Sequence, residues 1–120
     1  MSLLQVADSF YVGVRDVATA ASWYMDKLGL QQTKVDLDDS EGCLAFGFGK
    51  DHPVAIVIGP VSVAPDLGTH ILYTHAIEKA HQWLSSRGVS VGPITTDRQG
   101  TRNFSLLDLE SNTIEVCEEP

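Results

Sequence analysis

The chain has 120 residues, of which 43% are hydrophobic and 20% are charged, a composition typical of one soluble globular domain rather than a disordered segment. A formal charge of −8, with no cluster of Lys and Arg, argues against a nucleic-acid partner, because the phosphate backbone would be repelled. No apolar run approaches the roughly 20 residues that span a bilayer, so we expect no membrane partner.

The first half of the chain predicts the element order β-α-β-β-β. Residues 8–15 alternate between apolar and other side chains with the period of a strand. Residues 17–28 carry apolar side chains at helical spacing, and Gly29 predicts the end of that helix. Three further strands are predicted between turn signals, at residues 30–37, 43–48 and 54–58.

The second half repeats this order. Residues 70–74 predict a strand, and residues 76–87 predict a helix that ends at Gly88. Three more strands are predicted near residues 89–95, 101–107 and 113–117. We therefore expect a single domain over residues 4–118, built from a module at 8–60 and a module at 67–118 that a linker at 61–66 joins.

An internal repeat relates the two predicted helices. Equivalent residues recur 60 positions later, so that Val17, Ala20 and Trp23 correspond to Ile77, Ala80 and Trp83. Each helix should cover one face of its own sheet, and both tryptophans are therefore predicted to be packing residues. Paired modules leave a cleft between them, which is where we expect the functional site.

Two motifs accompany this repeat. The first runs from Val14-Arg15-Asp16 through Trp23-Tyr24 to Leu28-Gly29-Leu30. The second is the turn Asp108-Leu109-Glu110-Ser111-Asn112, which leads into Thr113-Ile114-Glu115. Together they resemble the vicinal oxygen chelate superfamily of glyoxalase I, bleomycin-resistance proteins and extradiol dioxygenases, although Leu109 and Ser111 replace the family's Pro and Gly. The resemblance implies an α+β fold of two βαβββ modules that form an open, curled mixed sheet around a cleft.

The resemblance also implies ligands for a divalent metal on the floor of that cleft. It assigns His70 and Glu115 as metal ligands, with Glu115 also the candidate catalytic residue. Strand alternation supports Glu115 independently, because its apolar neighbours Ile114 and Val116 should face the helix. The other candidate residues of the substrate cleft are Ser9, Tyr11, Arg102 and Cys117.

The third metal ligand is the difficulty. The family's first-strand ligand lies seven residues before Asp16, at Ser9, whose protonated hydroxyl is a poor ligand for Zn, Ni, Mn or Fe. The residue 60 positions before Glu115 is Ala55, which offers no carboxylate either. A catalytic metal site normally has three protein ligands, so two positions alone do not complete one.

Three interpretations stay open. The protein could bind a divalent metal whose ligand shell is completed by Cys117, by Tyr11 or by a residue of a second chain. Alternatively, His70 and Glu115 could form an acid/base pair without metal. Finally, the cleft could only bind a ligand, and Glu115 could pair with Arg102.

These interpretations predict two classes of function. The first is a metal-dependent lyase, isomerase or dioxygenase of the glyoxalase type, acting on a small oxygenated metabolite. The second is a non-catalytic small-molecule or antibiotic binder like the bleomycin-resistance proteins. The resemblance further implies a homodimer. Because Cys43 and Cys117 make no disulfide framework, we expect a cytoplasmic protein.

Overall fold

The computed structural model describes residues 4–6, 10–33, 43–48, 55–60 and 70–119. Ser9 and the predicted linker at 61–66 lie outside these residues. We call residues 10–60 the first module and residues 70–119 the second module.

The first module is a mixed sheet with one helix. Its elements are β1 (Phe10–Val14), α1 (Val17–Leu28), β2 (Gln31–Thr33), β3 (Leu44–Gly47) and β4 (Ile56–Pro60). The strand order is β1-β4-β3-β2, in which β1 runs parallel to β4 and the other pairs are antiparallel. The parallel pair requires a crossover, which α1 begins.

The second module repeats this arrangement. Its elements are β5 (Ile71–Thr74), α2 (Ile77–Ser86), β6 (Ser90–Val91), β7 (Thr95–Thr96), β8 (Arg102–Leu107) and β9 (Thr113–Glu118). The strand order is β5-β9-β8-β6, β5 runs parallel to β9, and β7 also pairs with β8. The strand predicted near 89–95 is thus two short strands, because Pro93 lies between them and has no N–H to donate to a ladder.

The helix boundaries follow from local chemistry. The Asp16 carboxylate accepts a hydrogen bond from the Thr19 N–H at 3.1 Å, which caps α1 and lowers the pKa of Asp16. Gly29 ends α1 with a φ of 72°, and Gly88 follows α2 with a φ of 84°. Both glycines adopt the left-handed conformation that they were predicted to supply.

One hydrophobic core contains residues of both modules. Its fully buried side chains include Tyr24, Leu28, Ile56, Leu72, Leu84, Phe104 and Val116. Trp23 and Trp83 pack against this core, which confirms their predicted packing role. The predicted α+β fold of two βαβββ units with open mixed sheets is confirmed. Among the described residues, neither helix has the length and apolar character needed to cross a membrane.

Residues that are 60 positions apart contact each other where the modules meet. The rings of Phe10 and His70 lie 5.1 Å apart between centroids. The Lys27 ammonium donates to the Arg87 carbonyl at 2.7 Å, and the Arg87 guanidinium donates in return to the carbonyl of Asp26. Because each of the two basic residues donates to the backbone of the other module, the exchange is reciprocal, as expected near a pseudo-two-fold axis.

The turn between β8 and β9 also joins the modules. The Glu110 carboxylate accepts hydrogen bonds from the backbone N–H groups of Arg15 at 2.8 Å and Asp16 at 3.0 Å. The Tyr24 hydroxyl donates to the Asp108 carboxylate at 2.7 Å. Burial, followed by the charge of Asp108, raises the pKa of Tyr24. The second module thereby anchors the start of α1.

Ser111 in this turn has a φ of 66°, a conformation in which a side chain is strained. We expect Ser111→Gly to raise the free energy of unfolding by roughly 0.5–1 kcal/mol, because glycine adopts this conformation freely. Urea denaturation measures the change. The control is Ser105→Gly in the interior of β8, which should lower the same quantity. A lower stability of Ser111→Gly would contradict the expectation.

Candidate functional site

Strand alternation gives the sheet of the second module two distinct faces. Phe104, Leu106, Ile114 and Val116 are buried on the face that α2 covers. Ile71 and Tyr73 of β5 lie opposite Glu115 and Cys117 of β9, which in turn lie opposite Ser105 and Asn103 of β8. We call the surface that these residues share the open face: Ile71, Tyr73, Asn103, Ser105, Glu115 and Cys117.

Glu115 and Cys117 are neighbours on the open face. Glu115 is exposed between buried Ile114 and Val116, so the alternation predicted for this strand is confirmed. Burial raises the pKa of the Cys117 thiol, and the negative charges of Glu115 and Asp97 raise it further. A thiol that stays protonated is a weak nucleophile and a weak metal ligand.

His70 immediately precedes β5 and contacts the first module. Its carbonyl accepts a hydrogen bond from the Glu115 N–H at 2.9 Å. Its imidazole packs on the ring of Phe10 with an interplanar angle of 31°, and Phe10 shares the buried face of β1 with Val12 and Val14. The residue that shares the face of Glu115 is Ile71. The backbone therefore joins positions 70 and 115, while the imidazole and the carboxylate have different surroundings.

The described donors do not fit a divalent-metal centre. Among the residues that the structure describes, no three His, Cys, Asp or Glu side chains group together in a way that could hold a metal ion. Tyr11 lies opposite Val57, and Ile71 lies opposite Glu115. Since Tyr11 and Ile71 are 60 residues apart, Val57 is the structural counterpart of Glu115. The first module thus offers no carboxylate at that position, and the predicted metal and catalytic roles of His70 and Glu115 stay predictions.

Tyr11 lies on the sheet of the first module, where its hydroxyl contacts the Cys43 sulfur at 2.9 Å. Burial and the neighbouring Cys43 raise the pKa of Tyr11 to about 12. This phenol therefore stays protonated near neutral pH and is poorly suited to binding a metal. Gly59 on β4 leaves the space that the hydroxyl occupies.

Arg102 binds carboxylates on the helix side of its sheet. It shares strand parity with buried Phe104 and Leu106. Its guanidinium donates to both carboxylate oxygens of Glu118, at 2.9 and 2.7 Å, and to Glu78 of α2 at 2.7 Å. The hydrogen bonds from Arg102 lower the pKa of Glu118. Arg102 is thus paired with Glu118 and Glu78, and not with Glu115.

A pocket of about 260 Å³ adjoins Arg102 at the start of α2. Its lining residues are His75, Ala76, Ile77, Glu78, Lys79, Arg102 and Glu118. None of these residues belongs to the open face, so the pocket and the open face are separate surfaces.

Four residues of the open face were not among the sequence-predicted site residues: Ile71, Tyr73, Asn103 and Ser105. The sequence did contain a signal for two of them, since Asn103 and Ser105 alternate with apolar Phe104 and Leu106. The position of Tyr73 beside Cys117 depends on the pairing of β5 with β9, which no local pattern encodes.

The structure resembles several solved proteins along nearly its whole length. One is a member of the glyoxalase/bleomycin resistance protein/dioxygenase superfamily from Sphaerobacter thermophilus, with 22% identity, a TM-score of 0.75 and coverage of 95% of this chain and 97% of that chain. Another is TnmS3, an antibiotic binding protein from a Streptomyces species, with 19% identity, a TM-score of 0.75 and coverage of 96% and 98%. A third is a lactoylglutathione lyase from Agrobacterium tumefaciens, with 17% identity, a TM-score of 0.64 and coverage of 94% and 92%.

These identities are low, so the three likenesses show the shared fold and leave the activity open. No curated protein matches the sequence. The sequence profile of one family matches residues 3–116, which is almost the entire chain. The chain therefore belongs to the Glyoxalase/Bleomycin resistance protein/Dioxygenase superfamily.

Proposed function

We propose that the protein binds a small molecule on the open face and does not transform it. The observation that carries this proposal is the difference in surroundings between the His70 imidazole and the Glu115 carboxylate. The imidazole packs on Phe10, whereas the carboxylate is exposed on the open face. A general acid and base must both reach the same reacting atoms, and this arrangement gives no such pair.

The chemistry of the open face favours a planar cationic ligand. Glu115 supplies a negative charge, and the half-buried Tyr73 supplies an aromatic ring on the neighbouring strand. Asn103 and Ser105 add hydrogen-bonding groups beside that charge. The net charge of −8 also attracts cations over a longer range. TnmS3, an antibiotic binding protein of the same fold, supports the same class of function.

We also propose that the protein acts as a cytoplasmic homodimer. Leu107 at the end of β8 and Leu109 in the following turn are 41% and 49% exposed, respectively. Exposed leucines that lie close together in the sequence offer apolar area for a contact with a second copy.

Two dyes of opposite charge test the ligand class. We expect cationic proflavine to bind and Glu115→Gln to raise its Kd by roughly 2–5-fold, as befits the loss of one solvent-exposed charge. Anionic 1-anilinonaphthalene-8-sulfonate should bind more weakly and should not lose affinity in the same variant. Fluorescence titration at two salt concentrations measures both values, because the effect of an exposed charge should diminish with salt.

The matched control is Asp26→Asn, which makes the same change of charge at an exposed carboxylate on α1. It should leave the Kd of proflavine unchanged. An equal effect of Asp26→Asn and Glu115→Gln would overturn the placement of the ligand on the open face. Consumption of lactoylglutathione by the wild-type protein, abolished by Glu115→Gln, would overturn the non-catalytic proposal.

A further inference from the structure

We infer that Phe10 and His70 form an aromatic packing pair on the pseudo-two-fold axis, and that His70 joins the modules instead of binding a metal. This inference concerns the junction of the modules and does not depend on the ligand proposed for the open face.

The position of the axis rests on two separate contacts between counterparts. Phe10 and His70 are 60 residues apart, as are Val17 and Ile77, the first residues of α1 and α2. Lys27 and Arg87 have the same separation, and each donates a hydrogen bond to the carboxyl-terminal part of the other helix. Because both pairs join equivalent positions, the same symmetry relates the strands and the helices.

A metal at this junction would need at least one ligand from the first module, because a catalytic metal site normally has three protein ligands. The second module offers His70 and Glu115, but their structural counterparts in the first module are Phe10 and Val57. Neither of these hydrocarbon side chains has a lone pair to donate to a metal. Among the residues that the structure describes, the donor set is therefore one-sided, and two donors fall short of the three protein ligands of a typical catalytic metal site.

The contact between the two rings explains why a histidine at position 70 is useful without a metal. Phe10 is only 9% exposed, and its ring lies beside the imidazole at a centroid distance within the range of aromatic pairs. An imidazole can pack in this way because its ring is planar and aromatic, and its charge is not needed. The ring of a phenylalanine at position 70 should therefore pack against Phe10 and stabilise the junction as well as histidine does.

The test compares His70→Phe with His70→Ala by thermal unfolding. We expect His70→Phe to keep the Tm of the wild-type protein and His70→Ala to lower it by roughly 3–6 °C, as expected for the loss of about 1 kcal/mol in a domain of this size. The controls are His75→Phe and His75→Ala, at a histidine whose side chain is 66% exposed. Both should change the Tm little. An equal loss of Tm in His70→Phe and His70→Ala would overturn the packing role.

A second measurement uses the wild-type protein and does not depend on how the variants fold. Equilibrium dialysis against Zn²⁺ or Ni²⁺, followed by elemental analysis, should give the same metal content for the wild type and His70→Phe. The His70 ring proton signals in the NMR spectrum of the wild type should not shift when either metal is added. One ion per chain that both His70→Phe and Glu115→Gln remove, or a stoichiometric shift of the His70 signals, would overturn the inference. Failure of proflavine to bind would contradict the ligand proposed for the open face but would not change the unfolding or metal measurements. The two proposals can therefore be tested independently.

Discussion

Replacing Asp108 by alanine is expected to lower the free energy of unfolding by about 3 kcal/mol or more, the largest effect of any substitution considered for this chain. Asp108 is only 6% exposed. One oxygen accepts hydrogen bonds from the backbone N–H groups of Glu110 at 2.9 Å and Asn112 at 2.8 Å. The other accepts from the Tyr24 hydroxyl at 2.7 Å and from the Asn112 side chain at 3.0 Å. Alanine would leave these donors without an acceptor in a place that water reaches poorly.

Urea denaturation measures the loss, and Asp97→Ala is the matched control. Asp97 also accepts backbone hydrogen bonds in a turn, from Gln99 at 2.9 Å and Thr101 at 3.0 Å, but it is exposed to solvent. Water can replace its bonds, so this substitution should cost no more than about 1 kcal/mol. Equal losses of unfolding free energy in the two variants would contradict the larger contribution expected from the buried hydrogen bonds of Asp108.

Gly59→Ala is expected to lower the free energy of unfolding by about 1–3 kcal/mol, because the added methyl group enters occupied space. A Cβ atom at this position would collide with the Tyr11 hydroxyl and the Cys43 sulfur. The phenol would have to move, and its contact with Cys43 at 2.9 Å would break. Chemical denaturation measures the stability of the variant.

The ionisation of Tyr11 gives this variant a second readout. In the wild type the pKa of Tyr11 is raised to about 12, chiefly by burial. In Gly59→Ala the displaced phenol should titrate closer to the usual value of about 10, which ultraviolet absorbance can follow. The control is Gly92→Ala, whose Cβ would lie 3.4 Å from the Ser105 hydroxyl and should leave both stability and titration nearly unchanged. An unaltered Tyr11 titration in Gly59→Ala would contradict the expected collision.

Local pattern in the sequence predicted most of the fold. The spacing of apolar residues and the glycines at 29 and 88 gave the helices, because these features report directly on backbone conformation. The division of the predicted strand at 89–95 could also have been foreseen, since Pro93 interrupts it.

The candidate site was less predictable because it depends on strand pairing. The repeat spacing of 60 selected Ala55 as the counterpart of Glu115, whereas the observed register selects Val57. The two differ because Tyr11 and Val57 are 46 residues apart (57 − 11), whereas Ile71 and Glu115 are 44 apart (115 − 71), so a constant offset of 60 fails at the last strand. Arg102 is a different case. Arg102 alternates in step with the apolar residues Phe104 and Leu106. Its place on the helix side of the sheet, away from the open face, could therefore have been predicted from the sequence.

The reciprocal bonds of Lys27 and Arg87 have an electrostatic consequence for the junction. Each carboxyl-terminal helix end carries the negative end of a macrodipole, and here two such ends approach each other. The ammonium of one residue and the guanidinium of the other offset this repulsion. Arg87 also lies over the ring of Trp83, 4.8 Å from its centroid, which keeps the guanidinium in place. The two equivalent positions thus share a positive charge, although an ammonium carries it in one half and a guanidinium in the other.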